Sequence, residues 1–160
     1  MYLYQQLTHK IIAAAIEVHR NLGPGLLETV YRLYLGFELE NLGLKFRKEE
    51  DVPLLYKGKK ITQCFRLDFL VEGEIILELK SIETVLPVHK AQLLTYLRLS
   101  KKQLGLLINF NVPILKQSIH RCILSDGIKH VAGIEIENAI NTELKHEDAK
   151  TQRLPLPVTQ

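Results

Sequence analysis

With 160 residues, 46% hydrophobic and 24% charged, the chain has the make-up of one ordinary globular domain and not two. A formal charge of +3, from 21 Lys and Arg against 18 Asp and Glu, suits a polyanionic partner without demanding one. Its apolar run at residues 11–16 falls far short of the roughly 20 residues of a membrane span, the N-terminus lacks a basic stretch leading into an apolar one, and Cys64 and Cys122 form no Cys-x-x-Cys pair, so we expect a cytoplasmic protein with no membrane partner, no zinc ribbon and two buried free thiols.

In chain order, residues 7–21 place apolar side chains at 11, 12, 15, 16 and 18, the period of an amphipathic helix, which Gly23-Pro24-Gly25 ends. A second helix is predicted over residues 26–42, with Leu26, Val30, Leu33 and Phe37 along one stripe, Leu35, Leu39 and Leu42 beside it, and Gly43 as its C-terminal cap. From residue 44 the period changes. Residues 45–49, 52–56, 61–71 and 74–79 read as strands separated by Asp51, by Lys57-Gly58-Lys59-Lys60 and by Glu72-Gly73. Pro87 opens a third helix to about residue 99, and residues 104–110 and 119–124 are further apolar strands. The order α-α-β-β-β-α-β-β describes an α/β (or α+β) protein, a sheet with helices packed on it. Residues 1–124 are expected to form this domain. Residues 125–160, which carry 4 basic against 6 acidic side chains, read as an appendage, with a helix over 134–144 and then a polar tail.

The segment Arg66-Leu67-Asp68-Phe69-Leu70-Val71-Glu72-Gly73-Glu74-Ile75-Ile76-Leu77-Glu78-Leu79-Lys80 carries the chemistry. Asp68 and Glu78 stand inside apolar strands, where an unpaired carboxylate is costly. Glu78 and Lys80, two apart, share a strand face. A three-residue loop at Glu72-Gly73-Glu74 pairs Val71 with Ile75, and so brings Asp68 opposite Glu78 and Arg66 opposite Lys80; a two-residue loop would put the carboxylates on opposite faces. Two carboxylates and an ammonium at one spot can hold Mg²⁺ or Mn²⁺, activate a water and offset charge on a phosphodiester. The same spacing also describes a structural salt bridge, and spacing alone does not separate the two.

The hairpin resembles the PD-(D/E)XK nuclease motif, with Leu67 where that motif has Pro. More of the chain, residues 8–124, is similar to the GxxExxY family. The similarity rests on Gly25-Leu26-Leu27-Glu28-Thr29-Val30-Tyr31, on the phrase from Glu17 to Gly25, on Val52-Pro53 with Tyr56-Lys57-Gly58, and on Gly105-Leu106-Leu107-Ile108-Asn109-Phe110. The resemblance implies a restriction-endonuclease-like core, a mixed central sheet flanked by helices. It also implies a metal-dependent hydrolase of phosphodiester bonds in nucleic acid, DNA above all. Asp68, Glu78 and the Leu79 backbone carbonyl would bind the metal, Lys80 would serve the water, and Glu28 would complete the shell directly or through a water. Tyr31, one turn on, would orient Glu28 or pack. Gln92 and Tyr96 resemble the Gln-x-x-x-Tyr motif of the exonuclease branch, and their spacing puts them on one helix face.

His19 and His89 lack a second ligand at metal spacing and are expected to pack or cap. Lys57, Lys59, Lys60, Lys101 and Lys102 fit solvated loops or phosphate contacts, and Arg66 and Arg98 are the further candidates for nucleic-acid binding. Two rival classes are a nucleic-acid-binding or regulatory module without turnover on the same fold, and an enzyme of different chemistry without Mg²⁺ or Mn²⁺ dependence. Oligomeric state is left open.

Overall fold

The structure, a computed structural model, describes residues 4–125, 128–131 and 134–135, with the backbone alone described at 55, 62–64 and beyond 124. Among these residues the elements run α1 (Gln5–Leu22), α2 (Glu28–Asn41), β1 (Phe46–Tyr56), β2 (Lys59–Val71), β3 (Ile75–Lys80), α3 (Pro87–Ser100), β4 (Leu104–Asn109), a 3-10 turn (Leu115–Ser118), β5 (Ile119–Ser125), β6 (Ile128–Val131) and β7 (Ile134–Glu135). The strands form one sheet in chain order. The β3–β4 pair is parallel and the others antiparallel, so α3 is the crossover that a parallel pair requires. The expected mixed α/β architecture is the one found. No helix of the described residues is long and apolar enough to cross a membrane.

Alternation along β3 sets the layers. Ile75, Leu77 and Leu79 face α1 and α2 in a cluster with Ile11, Tyr31, Leu35, Phe69 and Phe110. Ile76 faces α3, with Leu70, Leu93, Leu97 and Leu107. Gly105 on β4 lets α3 approach closely, for a Cβ there would stand 2.7 Å from Leu93 Cδ1.

As far as its ladder runs, the β2–β3 hairpin has the register its loop length implies, Val71 opposite Ile75 and Phe69 opposite Leu77, but the pairing ends there, short of the expected Asp68–Glu78 and Arg66–Lys80 pairs. Glu72 and Gly73 take φ of 51° and 69°, and the Glu74 N–H donates to the Val71 carbonyl at 2.9 Å, a tight turn with two left-handed residues. The predicted strands 45–49 and 52–56 are one strand: Asp51 stays in the ladder opposite Arg66. The register shift falls later, between Val52, paired with Phe65, and Leu54, paired with Ile61; Glu49, with φ 50°, lies between the Lys48–Phe69 and Glu50–Leu67 pairs, across from Asp68, without changing the register.

Of the two adjoining apolar rows of α2, the one with Leu35 and Leu39 is buried, together with Tyr31 and Gly36, whereas Leu33 and Phe37 of the other are 63% and 57% exposed. Both stripes have helical spacing, and the choice between them was made by α1 and the sheet, which receive the Tyr31–Leu35–Leu39 row. Beyond residue 124 the sheet continues through β6 and β7. The helix predicted over 134–144 begins at a pair that belongs to β7, and its remainder, with the tail to 160, lies outside the described residues. Cys122 is buried and free, its thiol pushed up to about 11 by burial; the Cys64 side chain lies outside the described ones.

Candidate active site

The site gathers at the C-terminal end of β3. Glu78 and Lys80 follow Ile76 on the face that α3 covers, and the Lys80 ammonium donates to Glu78 Oε1 at 2.9 Å. Glu78 is 5% exposed and its other oxygen, Oε2, is buried without a hydrogen-bond partner. Burial and the nearby Asp68 carboxylate push its carboxyl up to about 7, against the pull of Lys80. For Lys80, burial works against the charge, but Glu78, Glu28 and Asp68 outweigh it and hold the ammonium above its ordinary value. Lys80 therefore stays a cation.

Asp68 is 7% exposed, and both its oxygens are engaged. Oδ2 accepts from the Leu79 N–H at 2.7 Å and Oδ1 from Arg32 Nε at 2.8 Å. Past the Phe69–Leu77 pair the carboxylate thus bonds the β3 backbone itself. Because the N–H and C=O of a strand residue point to the same neighbour, the Leu79 carbonyl also faces the Asp68 side.

Glu28 arrives from the first turn of α2, where the helix dipole favours a carboxylate. Burial and Asp68 raise its carboxyl. The loop before it is pinned twice: Tyr31 donates to the Gly23 carbonyl at 2.6 Å and accepts from the Leu26 N–H at 3.2 Å, and Ser81 donates to the Leu26 carbonyl. Tyr31, stacked on Phe110 with centroids 4.4 Å apart, acts on the loop and not on the Glu28 carboxylate.

From α3, Gln92 Oε1 lies 3.5 Å from Lys80 Nζ, and Gln92 Nε2 donates to the Tyr96 hydroxyl at 2.7 Å. Tyr96 is buried with its ring edge-on to Phe65, so it packs and supports Gln92 at once. The start of α3 is fixed by His89, whose Nδ1 accepts from the Leu86 N–H at 2.9 Å. Asn109, at the end of β4, accepts from the Ile82 N–H and donates to the Ile82 carbonyl, holding the β3–α3 connection against the sheet. His19 Nε2 meets the Val112 carbonyl at 2.8 Å. Both histidines are occupied structurally.

Sequence reasoning missed Arg32. It bonds Asp68, donates to Glu28 Oε1 at 3.1 Å and reaches Glu49 Oε1 at 3.7 Å, tying α2 to β1 and β2. The available signal was its spacing of four from Glu28, which places both on one helix face.

The comparisons with known proteins follow this geometry. A family model described as PD-(D/E)XK nuclease superfamily matches residues 5–122. The chain belongs to this superfamily. No match to a curated protein is found. A solved structure titled "Crystal structure of SSO0001" is similar at 19% identity and a TM-score of 0.46, over 95% of this chain and 70% of that one.

Members of the PD-(D/E)XK superfamily generally use divalent metals. The residues here fit one chemically: hard carboxylate oxygens on Asp68, Glu78 and Glu28, and a buried Glu78 Oε2 with no partner. Yet among the described residues no three His, Cys, Asp or Glu stand grouped to hold an ion, and Arg32 bridges Asp68 and Glu28.

The basic residues singled out for nucleic acid are dispersed. Arg66 is exposed and bonds Asp51 Oδ1 at 3.0 Å, not the Lys80 region. Arg98 is exposed in the last turn of α3, about 9 Å along the helix from Gln92. Lys101 and Lys102 precede Leu104, which pairs with Ile75, so they lie at the other end of β3, roughly 16 Å from the level of Lys80.

Proposed function

We propose that the protein is a metal-dependent nuclease of the GxxExxY type that hydrolyses phosphodiester bonds of DNA by metal-activated water. The observation that carries this reading is the cluster of buried Asp68 and Glu78 with half-buried Lys80 and an orphaned Glu78 oxygen. A buried carboxylate oxygen without a donor is unfavourable in a purely structural salt bridge and is suited to a cation. Bound Mg²⁺ or Mn²⁺ would lower the pKa of a water and offset phosphodiester charge. Asp68, Glu78 and the Leu79 carbonyl would hold it, with Glu28 bound directly or through a water. Lys80, kept cationic by its carboxylate neighbours, orients the water and offsets charge developing on the phosphate. Gln92 fixes the Lys80 side chain and Tyr96 fixes Gln92; their pairing is the feature that favours exonucleolytic action. Arg66, Arg98, Lys101 and Lys102 are placed to contact nucleic acid only outside the immediate cluster.

A second reading, a nucleic-acid-binding module without turnover, is favoured by Arg32, which occupies Asp68 and Glu28. Labelled linear and circular DNA with Mn²⁺ or Mg²⁺ separates the two. The nuclease cuts with metal, and Glu78→Ala and Lys80→Ala each lower the rate by at least about 100-fold; resistance of circles marks an exonuclease. DNA binding without cutting in any metal supports the silent module.

A further inference from the structure

We infer that Arg32 is an exchangeable counter-ion: it holds the metal-binding carboxylates in the metal-free protein, leaves them when a divalent cation binds, and then engages a phosphodiester. This inference rests on the nuclease reading and adds to it a coupling between metal and polyanion.

The two partners of Asp68 differ in freedom. The Leu79 N–H on Oδ2 belongs to the buried backbone of β3 and cannot leave without unzipping the strand. Arg32 on Oδ1 is a mostly buried side chain of α2, 19% exposed, whose guanidinium also reaches Glu28 and Glu49, so it can change partners by side-chain rotation alone. A cation approaching Asp68 and Glu28 therefore competes with Arg32 and not with the strand. Charge points the same way. Around the metal-binding oxygens themselves, a divalent cation and the Arg32 guanidinium would share Asp68 Oδ1 and Glu28 Oε1, the two acceptors that Arg32 now occupies. Two cations crowded into a half-buried site repel strongly.

Arg32 also has somewhere to go. Nη1 already lies 3.7 Å from Glu49 Oε1, a carboxylate 55% exposed on β1 at the rim of the site. A guanidinium turned toward that rim presents the paired N–H donors that match a phosphate. Metal binding thus frees a phosphate ligand, and a bound phosphodiester keeps Arg32 away from the metal-binding carboxylates. Each ligand tightens the other, as linkage requires.

Calorimetric titration of Mn²⁺ into wild type, Arg32→Gln and Glu78→Gln, with and without a cleavage-resistant methylenephosphonate oligonucleotide, tests this. Arg32→Gln is expected to bind Mn²⁺ alone about tenfold more tightly than wild type, and the oligonucleotide to tighten Mn²⁺ binding in wild type but not in Arg32→Gln. Mn²⁺ binding that is unchanged or weaker in Arg32→Gln, yet lost in Glu78→Gln, overturns the exchange and leaves the nuclease reading standing. Absence of Mn²⁺ binding in wild type and Arg32→Gln alike overturns both. If Arg32→Gln does not fold, Arg32→Lys, which keeps the charge but lacks the Nε–H donor and the planar fork, is expected to tighten Mn²⁺ binding in the same direction, and failure to do so overturns the exchange.

Discussion

The two faces of β3 are drawn from the same six residues and end differently. Toward α1 and α2, Ile75, Leu77 and Leu79 are apolar to the last position and join one continuous cluster. Toward α3, Ile76 is apolar and the next two positions are Glu78 and Lys80. Where α3 packs tightest, at Leu93 over Gly105, this face is core; nearer the start of α3, Gln92 replaces an apolar neighbour and the charges gather there. One face supplies burial energy, and the other uses the rigidity so gained to hold groups that are unfavourable where they stand. A site built this way is expected to be less stable than its apolar counterpart and to be held by its neighbours.

The largest effect expected from this contrast is at Leu77. Leu77→Ala should cost about 2–5 kcal/mol in urea unfolding while Mn²⁺ affinity of the folded protein stays at the wild-type value; loss of metal affinity with little loss of stability would show that the faces are not separable.

Glu78 sharpens the comparison through pH. Its folded carboxyl, raised to about 7 from 4.5, binds a proton more readily than in the unfolded chain. The associated stability is fully present below the unfolded value and is lost as pH rises toward about 7, by at most about 3 kcal/mol. Metal-free urea unfolding at about pH 5 and about pH 8 measures this, with Glu78→Gln expected to remove the drop. A wild-type protein equally stable at both values would mean that the carboxylate bears no net penalty in its place.

Gly105→Ala probes the region where the α3 face is still core. Its methyl would press on Leu93, fully buried beneath α3, and should cost about 1–3 kcal/mol. Because the same displacement would shift Gln92 relative to Lys80, the rate of the proposed DNA cleavage should fall with it. Unchanged melting would show that α3 has slack that the close approach does not suggest.

Much of the site was legible because strand chemistry is local. Asp68 and Glu78 stood out as acids among Leu and Phe, and a three-residue loop with Gly73 in it was enough to set the Val71–Ile75 pairing from which the hairpin runs. Gly43 and Pro87 marked a helix end and a helix start for equally local reasons. What could not be read was anything decided across long sequence separations. Arg32 and Asp68 are 36 positions apart, and their contact exists only because α2 lies across the β1–β2 ribbon at Glu49. The Leu33–Phe37 stripe was as regular as the Tyr31–Leu35–Leu39 row, and nothing within the helix favours one over the other.

By itself, then, the sequence determined most of the elements as far as residue 124, the pairing at the turn of the β2–β3 hairpin and the identity of the acids and lysine that the hairpin carries, because backbone angles and side-chain alternation depend on neighbours in the chain. Only the tertiary structure decided which side of α2 is buried, that Tyr31 braces a loop, that Lys101 and Lys102 lie at the far end of β3, and that Arg32 already occupies the carboxylates. These depend on which surfaces meet, and burial energy and charge pairing act through space without regard to sequence distance.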